Sequence, residues 1–147
     1  MKSLFLKTTI TLMMALILSS CTTYIIPVES LKAQFSEIDS TDFVNVVVSG
    51  PVGGSYNYLA NPIKSISCID KHNNQVELIN SPSIEMRVTE NGNRKTIFYF
   101  DRIFVSKSYL YGVQSRFAPS ITRTIPLKDI TKIEVQDGKK NFKYITK

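Results

Sequence analysis

From Asp42 to Lys147 the chain is a succession of short β-branched and aromatic runs, each cut by residues that favour turns. Runs this short do not make packed helices, and alternation along them buries one face only, so the pattern restricts the fold to antiparallel β structure. DFVNVVVS ends at Gly50-Pro51, with Gly53-Gly54 following, and PIKSISCI and QVELIN flank the polar turn Asp70-Lys71-His72-Asn73-Asn74. SIEMRVTE alternates through Ile84, Met86 and Val88, which are expected to point inward, and Asn91-Gly92 is a strong hairpin signal leading into KTIFYF. RIFV and YLYGV lie on either side of Ser106-Lys107-Ser108, TRTIPL and DITKIEVQ come next, and Asp137-Gly138 is expected to close a last hairpin into NFKYIT. About ten strands at this spacing predict a mainly β fold over residues 42–147, a single antiparallel β-sandwich or small barrel-like domain.

The pattern upstream is different. Val28, Leu31, Phe35 and Ile38 recur at helical spacing just after Pro27, with Glu29 near the start, which predicts a short amphipathic helix over 28–38. Residues 22–27, TTYIIP, read as an apolar tether ahead of it.

The first twenty residues follow a third logic. Lys2 and Lys7 precede an uncharged run from Thr8 to Leu18, and Leu18-Ser19-Ser20-Cys21 closes the segment. A membrane-spanning helix needs about 20 apolar residues, so this run is too short for one but suits the apolar stretch of a signal peptide. Leu18-Ser19-Ser20-Cys21 resembles the lipobox of bacterial lipoproteins. The resemblance implies a signal peptide over 1–20, a diacylglyceryl group on the Cys21 thiol, acylation of the new amine, and a lipidated tether with its short helix over 21–41. Two or three acyl chains hold a protein stably on a membrane where one does not. Thr22 in place of Asp after the cysteine implies, in a Gram-negative cell, the outer membrane facing the periplasm. The run I125-P-L-K-D-I-T-K-I-E-V135 also resembles the ends of small all-β envelope lipoproteins with no assigned activity. Its residues read physically as well: Ile125, Leu127 and Ile130 seal an edge, Asp129 suits a turn, and Ile133 and Val135 alternate inward.

With lipid on Cys21, Cys68 is the only thiol left, which excludes an internal disulfide and leaves stability to the core. Cys68 shares a strand face with Ile66 and is expected to be buried. Residues 21–86 hold three Lys/Arg against seven Asp/Glu, whereas residues 87–147 hold thirteen against five, a balance of +8. A basic half of this kind attracts anionic lipid or polymer. Arg116 and Arg123 flank QSRFAPSITR, where Ala118-Pro119-Ser120 interrupts the strand pattern. Binding concentrates on loops, so Lys107, Tyr109, Arg116 and Arg123 are the candidate anionic-ligand surface.

Catalytic and cofactor chemistry finds no pattern. His72 is the single histidine, which rules out a His-based triad, and Cys68 with His72 supplies two metal ligands where three or four are needed. Glu85 and Asp101 lie inside apolar strands, and their expected roles are a solvent face or pairing with Arg87 or Arg102, ahead of paired-carboxylate catalysis. Gly50-Pro51-Val52-Gly53-Gly54 lacks the Lys-Ser/Thr of a phosphate loop and reads as a turn. Phe98, Phe100 and Phe104 beside Arg102 read as core, and an export signal removes the chain from nucleic acid. Tyr56, Tyr58, Tyr109 and Tyr111 read as sheet-surface packing. The expectation is a monomeric, membrane-anchored, non-enzymatic binding or structural module without cofactor, with an inhibitor or immunity-type lipoprotein binding a secreted protein as the alternative.

Overall fold

In the computed structural model residues 22–147 are described, so the predicted signal peptide and Cys21 lie outside the described residues. Twelve strands and one helix follow in the order β1 (Thr23–Ile25), α1 (Val28–Gln34), β2 (Val44–Ser49), β3 (Ser55–Ala60), β4 (Ser65–Ile69), β5 (Gln75–Ile79), β6 (Ile84–Glu90), β7 (Lys95–Tyr99), β8 (Ile103–Val105), β9 (Tyr109–Val113), β10 (Thr122–Pro126), β11 (Ile130–Asp137) and β12 (Lys143–Thr146). All pairings are antiparallel. The largest sheet has the order β5-β4-β1-β11-β6-β7, and β10-β9-β8 and β12-β2-β3 form two smaller ones. None of the sheets closes into a barrel.

Alternation places the core. Ile66 and Cys68 of β4, Met86 and Val88 of β6, Phe98 of β7 and Ile133 and Val135 of β11 project from one face of the six-stranded sheet. They meet Ile103 and Val105 of β8, Leu110 of β9 and Ile125 of β10, with Leu31 and Phe35 closing one side. Sheet against sheet is how two one-sided apolar surfaces leave water together. At the closest approach, a Cβ on Gly112 would lie 2.5 Å from the Phe98 ring, so only glycine fits there. The β12-β2-β3 sheet has a separate small core of Val46, Val48, Tyr58, Ala60 and Phe142. Buried Asn61 and Asn80 tie the connections: Asn61 donates to the Phe100 carbonyl at 2.7 Å, and Asn80 to the Ile63 carbonyl at 2.9 Å.

Three local expectations are corrected. Residues 22–27 are not a tether, because β1 inserts between β4 and β11 in the sheet interior. Its Tyr24 faces Val135, and Ile26 donates to the Ile133 carbonyl at 3.0 Å. The helix stops at Gln34, where Phe35, Ser36 and Ile38 donate three residues back and tighten the chain into turns. Gln34 then stands in for a strand: its Oε1 accepts from Ser67 N at 2.9 Å, and its Nε2 donates to Ser67 O at 3.0 Å. Asp137-Gly138 closes no hairpin, since β12 pairs with β2 and not with β11. By contrast Asn91–Asn93 does join β6 to β7, with Gly92 at φ 79°.

Candidate functional site

The sequence FYFDRIF places one carboxylate in an otherwise apolar run. The chain makes a single 3-10 turn over Phe100–Arg102 between β7 and β8, which rolls Asp101 inward between the two cores. A buried carboxylate is stable only if paired and hydrogen-bonded. Arg116, from the loop between β9 and β10, supplies the charge, with Nη2 2.9 Å from Asp101 Oδ1 and both side chains fully buried. Tyr58 of β3 and Tyr144 of β12 donate to Asp101 Oδ2 at 2.6 and 3.0 Å. Arg116 also donates to Tyr58 Oη and to the Pro82 carbonyl, and its guanidinium stacks 4.0 Å over the Tyr99 ring. Burial first, then the Asp101 charge, raises the pKa of both phenols, so both remain hydrogen-bond donors through the neutral range.

Arg102 turns the other way. It is 8% exposed, its guanidinium lies 4.7 Å over the Tyr58 ring, and Nη1 donates to the Ser115 carbonyl at 3.0 Å. Its Nε is buried with no acceptor among the described residues. Next to it opens a cavity of about 480 Å³ lined by Phe43, Leu59, Phe104, Tyr111, Val113 and Pro119. Burial, then the neighbouring Arg116 cation, lowers the Arg102 pKa from its ordinary value.

The anionic-ligand surface expected from sequence divides. Lys107 and Tyr109 are exposed in and beside the β8–β9 turn. There they share a concavity of about 470 Å³ with Lys32, Lys128 and Glu29. Arg116 is corrected: it is buried in the Asp101 pair and offers nothing to an outside anion. Arg123 is corrected too, being held 2.7 Å from Glu90 and 2.7 Å from Thr96 Oγ1. In the loop that was to carry them, the arginine points in and Phe117 points out, 65% exposed and stacked edge-on against Tyr56. The carboxylates find other partners than expected: Glu85 pairs with Lys140, Arg87 with Glu134, and Asp101 with Arg116 in place of Arg102. Cys68 is buried, and its thiol pKa is pushed up to about 11 by burial. His72 stays exposed in its turn. Among the described residues no group of three or more His, Cys, Asp or Glu comes together to hold a metal ion, and no helix is long and apolar enough to cross a membrane.

Compared with known proteins, the chain matches no family model, no curated protein and no solved structure. What can be said of its class therefore rests on the fold: the described residues form a mainly β structure of three antiparallel sheets, with a buried charged network at the junction of two cores.

Proposed function

We propose that the protein is a lipoprotein of the cell envelope, anchored through lipid on Cys21, whose β domain is a non-enzymatic binding module for anionic envelope components. One observation carries the binding part. Lys32, Lys107 and Lys128 converge with Tyr109 around a single concavity that holds one carboxylate, Glu29, which pairs with Lys32 at 2.9 Å. This concavity lies at the far end of the sheet from Thr23. Thr23 pairs with Gln136, whereas Lys128 precedes Ile130 at the other end of β11. At about 3.3 Å per residue those ends are roughly 20 Å apart. An anchor two residues before Thr23 leaves almost no slack, so the domain would rest on its own membrane by one end and present the lysines from the other. The ligand is then an anionic polymer or surface reached across the compartment.

Two measurements test the reading. A fatty-acid label should enter the wild-type chain and not Cys21→Ser; equal labelling removes the anchor. Vesicles with anionic lipid should sediment the protein in low salt and release it as salt rises, since exposed charges act over roughly 8 Å at physiological ionic strength. Lys107→Glu with Lys128→Glu should abolish that binding, and neither side chain is buried. Failure of wild type to bind at low salt rejects the anionic ligand.

A second reading, an inhibitor or immunity-type lipoprotein, draws on one feature. An apolar groove of about 480 Å³ between Val44, Pro62, Ile79 and Tyr144 leaves Ile79 83% exposed on edge strand β5. Exposed apolar surface on a sheet edge suits a protein partner. Stoichiometric capture of one secreted protein, lost in Ile79→Lys, is the result expected on this reading.

A further inference from the structure

We infer that the cavity beside Arg102 is a binding site for a small amphiphile, a carboxylate carried on an apolar chain. The cavity is distinct from the lysine concavity and lies between β3, β8 and β9.

Three observations converge on that chemistry. The walls are mostly apolar and aromatic: Phe43 and Phe104 meet edge-on with ring centroids 6.2 Å apart beside Leu59, Tyr111, Val113 and Pro119, and Ser40 and Asn57 are the neutral polar residues among them. At about 480 Å³ the space falls within the range of pockets that hold small molecules. The floor is charged. Tyr58, Asp101, Arg102, Arg116 and Tyr144 touch in one network that contains two guanidinium groups and one carboxylate, and Asp101 is spent on Arg116. The Arg102 charge is therefore uncompensated within that network, although a buried cation is expensive without an anion. Its hydrogen bonding is also incomplete: Nη1 is on Ser115 O, Nε is enclosed without an acceptor and out of a ligand's reach, and Nη2 donates to no group among the described residues. That leaves the Arg102 cation and its Nη2 to meet one carboxylate oxygen, a charge-assisted contact stronger than one to a neutral group. The apolar walls then take the chain, and Leu59 and Tyr111, 60% and 42% exposed, form the mouth.

The probes are octanoate, octanol and octylamine, titrated calorimetrically into the full-length protein in zwitterionic nanodiscs, with empty nanodiscs subtracted. Octanoate should saturate one site per chain, octanol should bind at least tenfold more weakly, and octylamine should not saturate. Arg102→Gln should weaken octanoate at least tenfold and leave octanol unchanged. Leu59→Trp, a change at an exposed position that fills the mouth, should remove octanoate binding while the circular dichroism spectrum stays that of wild type. If Arg102→Gln does not fold, the octanoate-to-octanol ratio and Leu59→Trp decide. Equal affinity for octanoate and octanol, octanoate binding unaffected by either substitution, or no saturable binding would each overturn the assignment. Saturable binding of a Leu-ending pentapeptide with none of octanoate would move the floor to a peptide terminus and overturn it as well.

Discussion

Asp101 and Arg116 form a fully buried ion pair with every Asp101 oxygen engaged. Such a pair is weak evidence for stability when compared with apolar residues of equal volume, but removing one partner strands the other charge in a low dielectric. Asp101→Asn should therefore cost about 3–5 kcal/mol in urea denaturation. Asp101→Leu with Arg116→Met should cost less than the sum of the two single changes, and strict additivity would show that the charges do not interact. Tyr58→Phe removes one donor to the pair and should cost about 1 kcal/mol. The same burial sets an alkaline limit. Cys68, Tyr58 and Tyr144 are neutral when protonated, and each holds its proton more tightly folded than unfolded. The Cys68 contribution is complete below pH 9, the unfolded thiol value, and is lost as pH rises through about 11, whereas that of the two phenols starts to fall only above pH 10. The urea midpoint should hold up to pH 9 and fall between pH 9 and pH 11, and native Cys68 should resist thiol reagents until denaturant is added; fast labelling at pH 8 would contradict its burial.

Two glycines show how strands and turns tolerate change for different reasons. Gly92 sits at φ 79° with open space where a Cβ would go, so its constraint is conformational only. Gly92→Val should cost about 1–3 kcal/mol through backbone strain, and Gly92→Asn much less, because asparagine accepts this region. Gly112 carries the opposite constraint, with its Cβ position 2.5 Å from the Phe98 ring. Gly112→Ala should cost about 1–3 kcal/mol by overpacking, and Phe98→Leu in the same chain should recover part of it. An unchanged midpoint for Gly112→Ala would mean that the sheets separate more easily than their shared core implies. Asn91-Gly92 could be read from sequence because turn chemistry acts over neighbouring residues. Asp137-Gly138 carries a local hairpin signal as well, yet β11 and β12 belong to different sheets. There the competition between possible partners for β12 outweighs the turn.

Across the whole molecule, β1 and α1 join the first described residues to the centre of the largest sheet. A chain beginning at Phe35 lacks the strand between β4 and β11 and the Gln34 bonds to Ser67, and loses buried Ile26 and Leu31. Each of those side chains contributes about 1.5–3 kcal/mol, and the exposed backbone adds more, in a fold whose total stability is expected near 5–15 kcal/mol. Truncation to Phe35 should leave a chain without a cooperative thermal transition, whereas truncation to Thr22 should retain one. A cooperative, β-rich fragment from Phe35 would mean that β4 and β11 can pair without β1.

β2, the strands from β4 to β11, the inward set Ile66, Cys68, Ile84, Met86, Val88, Ile133 and Val135, and the positive φ of Gly92 were legible in the residues, whereas β3, whose run SYNYLA follows a glycine turn, was missed. Periodicity and turn chemistry are local, and burial of one strand face follows from alternation whatever the partner. The placement of β1, the sheet that β12 joins and the fate of Arg116 were not legible. Thr23–Ile25 is too short to announce a strand, and becomes one because β4 and β11 each present an unpaired edge to it. Arg116 looks like a surface cation in its own loop. It is drawn inward by a carboxylate fifteen residues away, because burying a carboxylate between two apolar cores is costly unless a partner comes with it. That partner is chosen by how the sheets stack, and the stacking also leaves the Arg102 cation lining a cavity without a carboxylate of its own.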